Sequence, residues 1–304
     1  MDKNSTNNTV KGIIYASVAA FLWGFLAILL KIAVDKVPPI TIVWCRFIIA
    51  FTFLFLFILF KNARGLSILI KPNFLVFIPA LFLLFNYSGY MLGINYTSPN
   101  NAQIFIQLGP VILAITGIFI FKERLSKIQI IGFVLVVLGF YFFYSQQVKF
   151  FSESEDIYNK GVLYVIFGAI MWAGYAIAQK KLVNTYSTNQ LNLFNFGLPA
   201  ILLIPFVDFN VLLNLSSTYY ILIFFLGLNT LIAYTCVSLA LKYAEANKVS
   251  VIATCNPIIT FITMAILGAL EVSYIAAESM NFLSIVGAAL VIIGAIVVVK
   301  KKRK

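Results

Sequence analysis

The 304-residue chain is 62% hydrophobic and only 11% charged, with a mean hydropathy of +1.00. Soluble domains run at about half apolar and a quarter charged, so this composition belongs in a lipid bilayer. At about 20 residues per spanning helix plus connections, the length accommodates on the order of ten spans and excludes an added soluble enzyme module, while the net charge of +12 must be read loop by loop as topology and implies no nucleic-acid partner.

The first residues, MDKNSTNN, are polar and run into a full-length apolar segment without a small-residue cleavage pattern, which predicts an uncleaved first helix at 12–34. That span carries Trp23 at mid-depth and Lys31 near its far end, where the lysine reads as snorkelling. The second span, 40–60, holds Arg46 six residues inside. A charge there costs several kcal/mol unless it is paired, faces a cavity or snorkels, and both a carboxylate-binding fork and snorkelling fit it. The third span, 73–93, places Asn86, Tyr87, Ser88 and Tyr90 mid-membrane; the fourth, 101–121, contains Gln107, Gly109 and Pro110. The fifth is expected at 128–144 and the sixth, at 161–179, carries Trp172. The seventh, LNLFNFGLPAILLIPFV at 191–207, is short, has two prolines and includes Asn195 at the offset that pairs it with Arg46. The eighth, 219–241, holds Asn229, Thr230 and Tyr234; the ninth, 249–270, holds Thr254, Asn256 and Pro257; the tenth covers 282–299.

Prolines inside spanning helices free a carbonyl, which lipid tolerates only where a neighbour or a water-lined cavity satisfies it. Pro110 and Pro257 therefore read either as packing kinks or as helix breaks lining a cavity, with Gly109 adding flexibility to the first. Trp23 and Trp172 lie far from the interfaces where tryptophan usually collects, which suits either a central cavity or packing against the small residues Ala16, Ala20, Gly24 and Ala27. Each mid-span amide or hydroxyl can singly serve as interhelical glue. Together they suit an amphipathic organic solute. There is no histidine, and Cys45, Cys236 and Cys255 lie inside apolar runs, so His-based metal sites, Ser-His and Cys-His pairs and a disulfide framework are all excluded. No metal or cofactor is expected. No Asp or Glu falls within a span, since Glu123 and Glu271 fall at helix ends; proton coupling would have to run through those two, and facilitated diffusion gains weight.

With the N-terminus inside, 17 Lys and Arg fall in the inner connections, three (Lys36, Lys149, Lys160) in the outer ones and two (Lys31, Arg46) within spans. The positive-inside rule thus puts both termini in the cytoplasm and needs only anionic lipid to explain the KKKRK tail. The polar stretch after Ser145 divides the chain into residues 1–145, an extracytoplasmic connection at 146–159, and residues 160–304. Aligning 11–31 with 160–180 gives eight identities in 21 positions, among them Gly12/Gly161, Tyr15/Tyr164, Trp23/Trp172 and Lys31/Lys180. Tyr96, Asn100 and Pro110 superpose likewise on Tyr243, Asn247 and Pro257, and glycines recur seven apart at Gly132 and Gly139, then Gly287 and Gly294. Five spans per half is an odd number, so the halves enter the membrane from opposite sides. The fold class is all-α integral membrane, with ten helices in two inverted five-helix repeats and a substrate site near the midplane between them.

The tail of each half, NYTSPNNAQIFIQLGPVILAITGIFIFKERLSKIQIIGFVLVVLG and KYAEANKVSVIATCNPIITFITMAILGALEVS followed by IVGAALVIIG, resembles the EamA type of the drug/metabolite transporter superfamily across nearly the whole chain. The resemblance implies a ten-helix permease of a bacterial inner membrane, mostly exporting amino acids, related metabolites or drugs, with no enzymatic step. The partners expected are a small-molecule substrate and the lipid bilayer, and a homodimer is compatible with them. One departure is a seven-residue insertion near YIAAESM, expected outside as a gate element or a longer loop. The competing function is a polytopic enzyme or flippase acting on lipid-linked substrates, but no residue pattern proposes an acid, base or nucleophile for the enzyme.

Overall fold

The protein is described here by a computed structural model covering residues 3–121, 127–150, 155–271 and 280–299. Glu123, nearly all of the insertion and the basic tail lie outside the described residues. All regular structure among the described residues is helical. The helices are α1 (Lys3–Val34), α2 (Pro39–Asn62), α3 (Phe77–Tyr96), α4 (Pro99–Phe105), α5 (Leu108–Phe121), α6 (Lys127–Phe150), α7 (Glu155–Leu182), α8 (Thr188–Leu202), α9 (Ser217–Tyr243), α10 (Ala246–Ala253), α11 (Asn256–Ala269) and α12 (Phe282–Val299). Single helical turns in the connections carry no label.

Among the described residues, seven segments are long and apolar enough to cross a bilayer, corresponding to the expected first, second, third, fifth, sixth, eighth and ninth spans. The tenth is the 18-residue α12. The seventh, expected at 191–207, is instead the 15-residue α8, which begins earlier on a capping box formed by Ser187 and Gln190 and stops at Leu202, before Pro205. The fourth is not one rod but α4 and α5, broken at Ile106 and Gln107. The ninth is broken likewise between α10 and α11, at Thr254 and Cys255. The sequence expectation put these breaks at Gly109, Pro110 and Pro257. They fall just before instead: Pro110 and Pro257 sit in the first turns of α5 and α11, where a missing N–H costs nothing. The Ile106 carbonyl is satisfied by Gly109 N–H at 2.9 Å. Gly109 is required for close approach, since a Cβ there would lie 3.0 Å from the Trp172 ring and 3.1 Å from the Ala169 carbonyl.

Large apolar side chains cover the outside, from Phe60 at 85% exposure to Val137 and Ile131 along α6, the surface a hydrocarbon solvent requires and water would penalise. Without a hydrophobic force between helices in lipid, packing relies on small residues. It does so most visibly where α6 meets α12: a Cβ on Gly139 would fall 2.6 Å from Val291 N and 2.7 Å from Gly287 O, and one on Gly294 would fall 2.8 Å from Gly132 O.

The contacts between halves come in equivalent pairs. Tyr15 of α1 stacks on Tyr243 at the end of α9 (6.3 Å between centroids, 20°), and the equivalent Tyr164 of α7 stacks on Tyr96 at the end of α3 (6.0 Å, 16°). Gly12 packs on Tyr243 and Ala244 as Gly161 packs on Tyr96 and Thr97. Lys31 Nζ donates to the carbonyls of Ile94 (3.0 Å) and Thr97 (2.6 Å), and Lys180 Nζ to those of Leu241 and Ala244 (2.8 Å). Lys31 is therefore not snorkelling, as its position near a helix end suggests. It turns inward to cap the carbonyls that the end of α3 leaves without helical donors.

Candidate functional site

The two helix breaks meet the middles of α1, α3, α7 and α9 around a cavity of about 70 Å³, room for a few waters. Its wall includes Trp23, Arg46, Asn86, Tyr87, Tyr90, Gln107, Pro110, Trp172, Tyr234 and Asn256 from the sequence expectation. Sequence reasoning missed Gln103 and the apolar Leu26, Ile106 and Ala253. Gln103 was findable: it lies four residues before Gln107, hence on the same helical face.

Aromatic rings form much of the wall because large flat side chains near the middles of α1, α3, α7 and α9 converge. Trp23 and Trp172 meet edge to face at 6.2 Å, Trp23 meets Tyr234 at 5.7 Å, and Tyr234 meets Tyr87 at 5.4 Å. Tyr234 OH donates to Asn86 Oδ1 at 3.2 Å, and Asn86 Nδ2 donates to Gly168 O at 2.9 Å across to α7. Arg46, 2% exposed, is buried rather than snorkelling. Its Nε donates to Thr230 Oγ1 at 3.0 Å and its Cζ lies 4.2 Å from the centre of the Tyr87 ring, an electrostatic contact with the negative ring face.

Of the amides at the breaks, Gln103 bonds within the first half and Gln107 joins the first half to the second. Gln103 Nε2 donates to Trp23 O at 2.9 Å; Gln107 Nε2 donates to Gln103 O at 3.1 Å and to Asn256 Oδ1 at 2.9 Å. Such bonds satisfy donors that hydrocarbon cannot.

Two candidates lie elsewhere. Asn195, the positional equivalent of Arg46, joins a closed cluster in which it donates to Gln179 Oε1 (3.0 Å), Gln179 donates to Ser238 (2.9 Å) and Ser238 to Asn192 (2.8 Å). Asn229 donates to Leu22 O at 3.3 Å and borders a separate, mostly apolar groove between α1, α9 and α11. Pro257 and Gly109 are buried beside the cavity without lining it. A second buried cluster, in which Tyr158 OH reaches Asn101 Oδ1 at 2.8 Å and Asn101 Nδ2 reaches Gln147 at 3.3 Å, sits toward the start of α7. The Gln179 cluster lies toward its end, so the two bracket the cavity along the helix.

Comparison with known proteins gives the chain relatives throughout its length. The EamA-like transporter family matches it twice, at residues 10–145 and 159–300. It is 33% identical over 288 residues to an uncharacterised transporter of Haemophilus influenzae, covering 94% of this chain and 93% of that protein. It is 30% identical over 288 residues to the uncharacterised inner membrane transporter YhbE of Escherichia coli K12, covering 93% and 89%. A solved crystal structure at 18% identity superposes with a TM-score of 0.67, covering 94% of this chain and 96% of that one, which shows a shared fold.

Proposed function

The chain belongs to the EamA-like transporter family, and on that premise we propose that it exports small amphipathic metabolites, such as amino acids or aromatic compounds, through the cavity walled by Trp23 and Trp172. It is an integral multi-pass membrane transporter with a small-molecule substrate. Alternating access by rocking of two inverted repeats, residues 1–145 and 160–304 joined outside by 146–159, is the proposed mechanism, with both termini in the cytoplasm.

The observation that carries this reading is the meeting of Trp23 with Trp172 at 6.2 Å, equivalent residues of the two halves whose helices otherwise touch through paired contacts. A pair related by a pseudo-twofold axis meets on that axis, where inverted-repeat transporters hold their substrates. Trp23, Tyr87, Trp172 and Tyr234 supply the apolar surface, Arg46 and the amides of Gln107 and Asn256 the polar selection. Buried polar clusters at both ends of α7 suit a site closed from each side in turn.

The test compares flux with turnover. Vesicles holding the purified protein are loaded with a metabolite mixture drawn from cells that overexpress it, and the released solutes are identified. Saturable release above that from protein-free vesicles supports the carrier. Chemical conversion of solutes in detergent without release from vesicles overturns it.

A further inference from the structure

The cavity has an unbalanced chemistry. Arg46 lines it, and its hydrogen bond within the protein uses Nε, toward Thr230. Four further N–H donors of the guanidinium remain for a ligand. Among the described residues no carboxylate comes within 4.0 Å of it, and the two ion pairs found there, Asp35 with Lys36 and Glu245 with Lys248, include no residue of the cavity wall. A cation taken out of water and left without a counter-ion is costly, and the Tyr87 face offsets only part of that cost.

Two glutamines line the same cavity. Gln103 and Gln107 are each 1% exposed, and their Oε1 atoms have no hydrogen-bond partner. Their orientation is fixed, because the Nε2 of each donates to a backbone carbonyl, Trp23 O and Gln103 O respectively. Reversing either amide would set oxygen against oxygen. The wall thus offers a charged donor and two neutral acceptors, and it contains no Asp or Glu.

We propose that the solute carried here is an organic monoanion whose carboxylate pairs with Arg46 and whose adjacent neutral donor, a hydroxyl, is accepted by Gln103 or Gln107. It is carried in preference to a zwitterionic amino acid. This rests on the cavity being the transport site. A monoanion brings the site to zero charge. A zwitterion leaves it at +1 and buries an ammonium against neutral amides and rings, without the carboxylate that such a charge requires.

Two matched series test it, so that head group and body size are not confounded: 3-phenyllactate, phenylalanine and 3-phenylpropionate, and then lactate, alanine and propionate. Binding to the full chain in lipid nanodiscs is measured at pH 7 by titration calorimetry, and flux in vesicles, for wild type, Arg46→Gln, Arg46→Lys and Gln107→Met. In at least one series the hydroxy acid should bind about tenfold or more tightly than the amino acid, with the plain acid between them. Arg46→Gln should erase the preference for the anion, Arg46→Lys should keep part of it, and Gln107→Met should narrow the gap between hydroxy and plain acid. The order among wild-type ligands is decisive even if every variant misfolds. The amino acid binding as well as its hydroxy analogue in both series overturns the proposal, as does an unchanged order in Arg46→Gln or no binding by any of the six. None of these outcomes touches the carrier reading, which falls only if the vesicle release experiment with whole-cell metabolites fails.

Discussion

Trp23 and Trp172 occupy one position of the two halves and present their rings to each other and to the cavity, so a loss at either removes wall shared by both. Trp23→Ala or Trp172→Ala should cut flux roughly tenfold, given the area lost and the edge-to-face contact, and Asn256→Leu should act similarly by removing the acceptor for Gln107 Nε2. Size-exclusion profiles in detergent should be unchanged, and normal flux in all three variants would remove the cavity from the transport route. Lys31 has a different assignment. Its ammonium holds carbonyls of Ile94, Asn95 and Thr97 at the end of α3. Lys31→Met keeps the stem and loses these bonds, at a cost of about 1–2 kcal/mol for a half-buried group. Melting in detergent should drop by several degrees, and Lys180→Met should match it, because Lys180 grips the end of α9 in the same manner.

At the scale of elements, the seam between α6 and α12 depends on glycines where backbone meets backbone. Gly139→Leu drives side-chain atoms into Val291 N and Gly287 O, neither of which can yield, so monodisperse protein should be lost. Gly268→Ala, in α11 with nothing within 4 Å of the added carbon, should leave folding intact or stabilise it by about 0.5–1 kcal/mol. Equal behaviour of the two variants in fluorescence-detected size exclusion would show that the seam does not hold the helices. The broken helices follow another logic. Tight bonds such as Gln107 N–H to Ile104 O at 3.1 Å and Cys255 N–H to Ile252 O at 3.1 Å carry the chain through each break. The backbone there stays satisfied at membrane depth while Gln107 and Asn256 turn to the cavity.

For the whole molecule, the 17 to 3 division of Lys and Arg is the basis for the proposal that both termini are cytoplasmic. A reporter active only outside the cytoplasm should work when fused after Gln147 and be silent after Lys304. The opposite result at either site reverses the orientation and with it the direction assigned to export. On the same proposal the paired lysines have opposite addresses: the helix end that Lys31 caps would face outward and the one that Lys180 caps would face inward.

The sequence by itself determined the all-helical membrane class, the duplication and most of the cavity wall. Those rest on span length, on charge counts and on polar residues whose presence in hydrocarbon demands a reason, and all three are properties of local sequence. It also carried the equivalence of Tyr15 with Tyr164 and Lys31 with Lys180, but not what those residues touch. Only the tertiary structure decided that Arg46 and Lys31 turn inward, that Asn195 bonds to Gln179 instead of joining its equivalent, that Asn229 faces the groove beside α1, and that each helix breaks before its proline rather than at it. In lipid every helix can satisfy its own backbone, so the pattern along one chain leaves rotation about each helix axis open. Which side chains meet is fixed by packing against helices far away in sequence, and a long side chain such as lysine or arginine reaches water or protein according to what that packing sets beside it.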